Sequence, residues 1–247
     1  MEERYGLGYF ERSLERNLAG RHRGDKWFLH HYWLRRLRRL VRSDARVLEV
    51  GCGLGFFTSR VAREYAIVGL DVSRAALSFL RDRWGLRSLV CADAHRLPFR
   101  DDTFDVVVAF DVVEHLTRPE AFLREGARVL RHGGIVILTT PNPASLGARW
   151  KGGEVTREHG RRWFGYRDHT HVSIRPIESW RDAFADANLG ILEEGTDFLW
   201  DAPYFARVPA ILQKVFFTGT QWLGGLLVGF LPWRHGENYV AVLRRSS

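Results

Sequence analysis

The sequence predicts an α/β protein built on a doubly wound, mostly parallel, Rossmann-like sheet of seven strands. Apolar runs typical of strands alternate with helical patterns from residue 46 to residue 140. These strand runs are continuously apolar, as expected for a parallel sheet covered by helices on both faces. Glycines or polar residues also follow four strands at their carboxyl ends, the edge where such sheets bind ligands. These four positions are Gly51–Gly55, Asp71, Asp93 and Phe110–Asp111.

An amphipathic helix is predicted ahead of the sheet, between Lys26 and Arg42, after a polar arm at residues 1–25. Its leucines recur every three or four residues among arginines, which places them on one face. The helix opens with four aromatic residues, Trp27, Phe28, Tyr32 and Trp33. A basic helix can bind nucleic acid or a membrane, but it more often packs beside the sheet.

The first strand runs into a turn with three alternate glycines. Val47, Leu48 and Val50 form the strand, and helical spacing resumes after Gly55. Glycines there permit positive φ and let a ligand approach the main chain, and the helix N-terminus favours an anionic group nearby. The dinucleotide pattern G-x-G-x-x-G is not met, because the third glycine comes one residue early. An ordinary tight turn is the alternative.

The remaining core elements follow in the same alternation. We predict strands at Ala66–Asp71, Leu86–Cys91, Phe104–Phe110 and Ile135–Thr140. One helix spans Arg74–Trp84, with Ser73 as its N-cap. Another begins at Pro119 and runs to Arg131, where Gly133 and Gly134 should end it.

The C-terminal part is less regular. Pro143 to Arg167 reads as a long loop, either a functional lid or disordered. A helix at Pro176–Ala187 and strands at Ile191–Phe198 and Asn238–Arg244 follow. An apolar insertion, Pro203–Trp233, separates those two strands.

Composition favours one domain over the 247 residues, with 45% hydrophobic content. We divide it into an arm and helix (1–42), a core (43–200), the insertion (201–236) and a last strand (237–247). The net charge of +8 permits nucleic acid or an anionic membrane as a partner without proving either. Two cysteines give no disulfide framework, and the first ten residues lack an apolar signal core. We therefore expect a cytoplasmic protein.

Five motifs resemble those of class I S-adenosylmethionine-dependent methyltransferases. They are V-L-E-V-G-C-G-L-G, G-L-D-V-S, A-D-A-H-R-L-P-F, F-D-V-V-V-A-F-D-V-V-E-H-L and L-R-H-G-G-I-V-I-L-T-T-P-N. The sequence around these motifs is similar to that of small-molecule enzymes such as the ubiquinone-type O-methyltransferases. The resemblance implies methyl transfer from S-adenosylmethionine to a small or lipid-like acceptor that bears a hydroxyl group.

The same resemblance implies a set of cofactor-binding residues. The methionine half of S-adenosylmethionine would lie against the glycine turn, Asp71 would take the ribose hydroxyls, and Asp93 the adenine amino group. A carboxylate can accept from two neighbouring hydroxyls at once. As an alternative, both aspartates could N-cap following helices, each worth about 1 kcal/mol. The full set is Glu49, Gly51, Cys52, Gly53, Gly55, Asp71, Val72, Asp93, Ala94 and Phe110.

Methyl transfer needs orientation and, for a hydroxyl acceptor, a base. The candidate bases are His115, His169 and His171, although each could be an ordinary polar residue. Asp111, Glu114 and His115 also stand at i, i+3 and i+4, on one face of a helix beginning there. Certain plant small-RNA and quinone methyltransferases have a similar acid-x-x-Glu-His metal site, which His169 or His171 could complete. We favour plain helix residues, so a divalent metal is considered but not expected.

Other functions are ranked lower. A non-catalytic S-adenosylmethionine-binding module would carry the same cofactor motifs. An RNA methyltransferase would suit the positive charge, but no RNA-binding module is appended, so nucleic acid is not expected as a partner. Phe110-Asp111-Val112-Val113 also stands where many N-methyltransferases carry an N/D-P-P-Y-like tetrad. Methylation of base or amide nitrogens is therefore disfavoured, and the oligomeric state is not indicated.

The insertion contains nineteen consecutive uncharged residues, Val215 to Trp233, close to the ~20 that span a bilayer. Its flanking strands should pair in one sheet, so the segment cannot cross once. Lys214 and Arg234 flank it, and Trp222 and Trp233 suit a membrane interface. We predict a lid over the acceptor pocket that lies on the inner membrane face. The alternative is a helical pair buried on the domain or in a dimer contact.

Overall fold

A computed structural model describes residues 27–151 and 163–246. Seven strands form one sheet in the order β3-β2-β1-β4-β5-β7-β6. The strands are β1 (Arg46–Val50), β2 (Ala66–Asp71), β3 (Leu89–Cys91), β4 (Phe104–Phe110), β5 (Leu130–Pro141), β6 (Leu189–Thr196) and β7 (Asn238–Arg245).

Eight helices are described around this sheet. They are α1 (Trp27–Leu40), α2 (Thr58–Val61), α3 (Arg74–Trp84), α4 (Pro119–Val129), α5 (Leu146–Trp150), α6 (Phe164–Arg167), α7 (Ile177–Asp186) and α8 (Ala210–Leu227). A short 3₁₀ turn, Val113–His115, follows β4.

The strand directions confirm the predicted fold class. β1 to β5 pair in parallel, whereas β7 runs antiparallel to both β5 and β6. The chain first winds outward from β1 to β3 and then crosses to β4 on the other side of β1. The switch point therefore lies between β1 and β4, where ligands of open α/β sheets bind.

The core lies on both faces of the sheet. In β4, Val107 and Ala109 pack into one apolar cluster, and Val106 and Val108 pack into the opposite one. All four are fully buried. Burial on both faces explains why successive residues of the strand are apolar. Burying an apolar side chain stabilises the folded state by about 1–3 kcal/mol.

The predicted end of α4 was wrong. The helix ends at Val129, and the next residue, Leu130, is already extended and pairs with Phe104 of β4. The ladder then breaks and resumes at Val106 and Ile135. Gly133, with φ of 75°, thus lies in an irregular part of β5 and does not end the helix. Strand pairing, a long-range effect, decided this boundary.

Other boundaries also differ from the predictions. β3 begins at Leu89, three residues later than predicted, and the insertion contains one long helix, α8, and not a helical pair. Short helices α5 and α6 interrupt the predicted Pro143–Arg167 loop. Residues 152–162 of that loop and the predicted arm at 1–25 lie outside the described residues.

α8 packs against α1 beside the sheet. None of the helices in the described ranges combines the length and the apolar character needed to cross a bilayer. The strands on either side of the insertion pair with each other as predicted.

Candidate functional site

The turn after β1 depends on its glycines. Gly51, Gly53 and Gly55 all have positive φ, between 49° and 71°. A Cβ at Gly51 would collide with Val112, and one at Gly55 would collide with Leu80. Backbone conformation and close packing therefore both require glycine there.

Asp71, at the end of β2, ties this turn to the neighbouring strand. One carboxylate oxygen accepts from the backbone N–H of Gly53 and the other from that of Ser73, each at 2.8 Å. Burial raises the pKa of Asp71, and the bonds from Ser73 and Gly53 oppose that rise. Since a carboxylate has about four acceptor positions, ligand hydroxyls can still bind. The capping alternative is wrong, because Ser73 caps α3 by accepting from Ala76.

Asp93, after β3, adds a second carboxylate. It accepts from the backbone N–H of His95 at 2.9 Å and contacts the His95 ring at 2.5 Å. This is a local Asx turn. In the described chain no helix follows Asp93 directly, so it is not an N-cap. Its side chain is 41% exposed, which leaves it accessible to a ligand.

Six of the ten predicted cofactor residues line a single cleft at this edge of the sheet. They are Gly51, Gly53, Asp71, Val72, Asp93 and Ala94. Val50, Leu70 and Ala92 supply apolar walls that sequence reasoning missed. Two carboxylates, a glycine turn and apolar walls fit the ribose diol, the methionine arm and the adenine ring of S-adenosylmethionine.

The other four predicted residues are absent from the lining of that cleft. Cys52 is buried with α3, and Gly55 packs against Leu80. Glu49 is buried beneath the turn, where it accepts from the Thr58 hydroxyl. Burial, reinforced by nearby Asp71, raises the pKa of Glu49 to about 8, so it is protonated at neutral pH. Phe110 lines a second cavity.

That second cavity adjoins the cleft. Trp33 of α1 and Phe110 form part of its wall, together with Thr139 and Asn238 from β5 and β7. The Thr139 hydroxyl donates to the Asp111 carboxylate at 2.7 Å. Because Asp111 lines the cleft and Thr139 the second cavity, this pair forms a shared wall.

Two of the three candidate histidines meet at one end of the cleft. His115 lines the cleft, and its ring centroid lies 4.6 Å from that of His171. The backbone N–H groups of Val172 and Ser173 donate to the Glu114 carbonyl, which fixes the His171 loop against the 3₁₀ turn. His169 is exposed and does not join this pair.

Hydrogen bonds determine which nitrogen of each ring carries a proton. The Thr170 hydroxyl donates to Asp168 at 2.6 Å, so it accepts from Nδ1 of His115 at 2.9 Å. Nδ1 of His171 lies 2.6 Å from the Gly165 carbonyl, which can only accept. In the neutral state both rings therefore carry the proton on Nδ1 and a lone pair on Nε2.

The environment also favours the uncharged form of His115. Burial and, to a smaller extent, the neighbouring His171 lower its pKa to about 4, against the opposing effect of Asp168. His115 is therefore neutral at physiological pH and can accept a proton or ligate a metal ion through Nε2.

The predicted metal set is only partly assembled. Ligand atoms of Glu114, His115 and His171 lie within 4.8 Å of one another. Two imidazoles and a carboxylate form a donor set that suits several divalent metals. Within the described ranges Asp111 does not join this group. The segment forms a 3₁₀ turn and not the α-helix that would align all three predicted ligands on one face.

Residues 48–138 match a family described as "Methyltransferase domain". A "Probable S-adenosylmethionine-dependent methyltransferase" of Mycobacterium tuberculosis is 39% identical over 123 residues, covering 46% of this chain and 44% of that protein. A fatty-acid O-methyltransferase of Mycolicibacterium smegmatis is 41% identical over 103 residues, covering 40% and 38%. A ubiquinone biosynthesis O-methyltransferase of Parvibaculum lavamentivorans is 29% identical over 163 residues, covering 63% of each.

Solved structures show a similar fold over nearly the whole chain. A SAM-dependent methyltransferase from Archaeoglobus fulgidus superposes with a TM-score of 0.61, covering 96% of this chain and 98% of that one, at 19% identity. The chain matches about half of the length, or less, of the first curated relatives.

Proposed function

We propose that the chain, whose residues 48–138 match a methyltransferase domain, is a class I S-adenosylmethionine-dependent methyltransferase that methylates a hydroxyl oxygen of a small or lipid-like acceptor. One observation carries this proposal. The cofactor-binding turn and Asp71 share a cleft with His115, whose neutral ring is paired with His171.

The cleft residues have distinct roles in this reaction. S-adenosylmethionine supplies a methyl group that its sulfonium charge has already activated. Asp71 holds the ribose hydroxyls and Asp93 the adenine amino group, while the turn at Gly51 and Gly53 lets the methionine arm approach the backbone. The protein thereby fixes the orientation that an in-line transfer requires.

His115 accepts the proton of the acceptor hydroxyl at Nε2. A base with a pKa of about 4 is weak. It suffices here, since the hydroxyl becomes strongly acidic as its oxygen gains the methyl group. Thr170 and Asp168 hold Nδ1–H of His115, which places the lone pair on Nε2 and stabilises the imidazolium that forms. His171 packs against the same ring and holds it in position.

A divalent cation is a second candidate for this position. Glu114, His115 and His171 offer one ligand atom each. Both histidines also donate Nδ1–H to a protein oxygen, as metal-bound histidines commonly do. A cation there would bind the acceptor oxygen and lower its pKa. The two mechanisms differ in their response to chelators.

The second cavity measures only about 30 Å³, so it supports a lipid-like acceptor through its apolar walls and not through its size. Trp33, Phe110 and Val240 give it largely apolar walls, and it adjoins the cleft through the Asp111–Thr139 pair. Relatives named for fatty-acid and ubiquinone substrates agree with such an acceptor. For a chain that acts on lipids, we further propose a peripheral location on the inner face of a membrane.

Turnover separates this proposal from a non-catalytic binding module. Purified chain is incubated with S-adenosylmethionine and a panel of long-chain alcohols and prenylated phenols, and S-adenosylhomocysteine is measured. His115→Ala and His171→Ala should each lose at least ~100-fold in turnover while still binding cofactor. His169→Ala is the matched control and should retain activity.

Cofactor binding without product from any acceptor would identify a binding module. Equal loss in the His169 control would contradict the assigned roles of His115 and His171. Exhaustive chelation with elemental analysis then separates the base mechanism from the cation mechanism.

A further inference from the structure

The side chains of α8 are arranged in the reverse of an ordinary surface helix. Gln213 and Gln221 are buried at 3% and 5% exposure. Large apolar side chains instead face solvent and are 54–68% exposed. We call these six residues the outer face of α8: Ile211, Leu212, Val215, Phe216, Leu223 and Leu227.

The buried glutamines explain this rotation. Gln213 accepts from the backbone N–H groups of Tyr204 and Phe205, and it donates to the carbonyls of Phe205 and Val208. It thereby provides hydrogen-bond partners for backbone groups of the irregular segment that leads into α8. Gln221 does the same near β6, accepting from the N–H of Phe198. Turning the helix over to bury its apolar face would break these bonds.

Contacts with α1 hold the helix in the same orientation. Gly225 lies against Phe28 and Leu29, and a side chain there would collide with Phe28. The rings of Trp27 and Trp222 meet at 5.3 Å. Since the inward face is occupied by these contacts, the outer face remains directed away from the domain. Large contiguous exposed apolar patches mark interaction sites.

Charge around the outer face selects the partner. Residues 202–236 contain no aspartate or glutamate, but they include Arg207 and Lys214, both exposed. Arg35 of α1 reaches the end of α8, where it donates to the Leu226 carbonyl. A two-fold dimer through this face would bring two copies of the same basic patch together, with no acid in residues 202–236 to neutralise it. An anionic surface has no such conflict.

We propose that the outer face of α8 inserts into the interface of an anionic lipid bilayer, with the helix axis in the membrane plane. Its apolar side chains enter the boundary between headgroups and acyl chains, and Arg207 and Lys214 bind anionic headgroups. Trp222, 42% exposed beside this face, suits the headgroup level. Gly229, just beyond α8, lines the second cavity, so a docked chain presents that cavity next to the bilayer.

Vesicle flotation of the full chain tests the proposal. The vesicles are phosphatidylcholine alone or phosphatidylcholine with one quarter phosphatidylglycerol. Phe216→Glu/Leu223→Glu changes the outer face. Ile191→Glu/Leu192→Glu introduces the same charges at exposed apolar residues of β6 and serves as the matched control. Phe216→Ser/Leu223→Ser repeats the test without added charge. Circular dichroism and S-adenosylhomocysteine affinity establish that each variant is folded.

The wild type and the β6 control should float with the anionic vesicles, and more weakly with the neutral ones. Both outer-face variants should lose at least tenfold in bound fraction while binding S-adenosylhomocysteine normally. Wild type that stays soluble with anionic vesicles would overturn the proposal, as would variants that float like wild type. A dimer that the variants dissociate, without lipid binding, would identify an interface between copies. Membrane binding does not require the proposed methyl transfer, so turnover on detergent-dispersed acceptors tests the two separately.

Discussion

α4 and α8 each have an apolar face, but the two faces point in opposite directions. α4 buries Phe122 and Leu123 against the sheet and exposes Arg124. α8 buries two glutamines and exposes its apolar side chains. Burial of apolar surface sets the rotation of α4, whereas side-chain hydrogen bonds to irregular backbone set that of α8. An apolar run in a sequence therefore predicts an apolar face, but not the direction in which that face points.

The largest loss of stability should come from removing a buried side chain between α4 and the sheet. Phe122→Ala removes a fully buried ring and should lower the free energy of unfolding by ~3–5 kcal/mol. Urea denaturation measures it. A loss below ~1 kcal/mol would show that burial does not hold α4 in place.

A substitution of Asp71 tests the cleft at the carboxyl edge of the sheet. Asp71→Ala should weaken S-adenosylmethionine binding by ~1.5–3 kcal/mol, since it removes a charged hydrogen-bond acceptor. Isothermal titration measures the change. Binding at wild-type affinity would remove Asp71 from the ribose-binding role.

Gln213 tests whether hydrogen bonds hold α8. Gln213→Leu keeps an apolar helix but leaves the N–H groups of Tyr204 and Phe205 without their acceptor. We expect a loss of ~1–3 kcal/mol in unfolding free energy, although the substitution adds hydrophobicity. A stabilised variant would mean that the helix is held by apolar contacts, like α4.

Glu49 gives a pH-dependent test at the same edge. Its folded pKa is about 8, above the ordinary 4.5, so its contribution is complete below pH 4.5 and is lost as the pH rises through 8. Glu49→Gln keeps the neutral form. Its stability relative to the wild type should rise by a few kcal/mol from pH 5 to pH 9. A stability difference between Glu49→Gln and the wild type that is the same at all pH values would show that Glu49 is not protonated in the folded state.

The smallest effect should be on the outer face of α8. Phe216→Ala should change the free energy of unfolding by less than ~0.5 kcal/mol, because the ring is exposed. The difference in unfolding free energy between Phe216→Ala and Phe122→Ala therefore tests directly whether α8 exposes the apolar face that α4 buries. A loss similar to that of Phe122→Ala would show that this face packs against protein.

Local signals made much of the fold predictable. The bounds of β2, β4 and α3 match the predictions, since Ser73 caps α3 and Gly85 ends it with a positive φ of 66°. The glycine turn, Asp71 and Asp93 could likewise be identified from the sequence, because each belongs to a short motif. Where long-range contacts set the end of an element, as at Val129 of α4, the prediction was wrong.

The histidine site shows the same limit. His115 and His171 are 56 positions apart, so the sequence could name them only among several candidates. Their pairing depends on hydrogen bonds from Val172 and Ser173 to the Glu114 carbonyl. Asp111 was predicted on a helix face, but the segment forms a 3₁₀ turn. The rotation of α8 was equally unpredictable, because the glutamine partners lie in irregular chain.

The most direct test of the central claim follows the methyl group itself. The chain is incubated with S-adenosylmethionine deuterated in its methyl group and with a lipid extract, and the products are analysed by mass spectrometry. The account predicts a lipid carrying a deuterated methyl ether, formed by the wild type and the His169→Ala variant but not by His171→Ala. Label on nitrogen or carbon, or no transfer by a wild type that binds the cofactor, would contradict it.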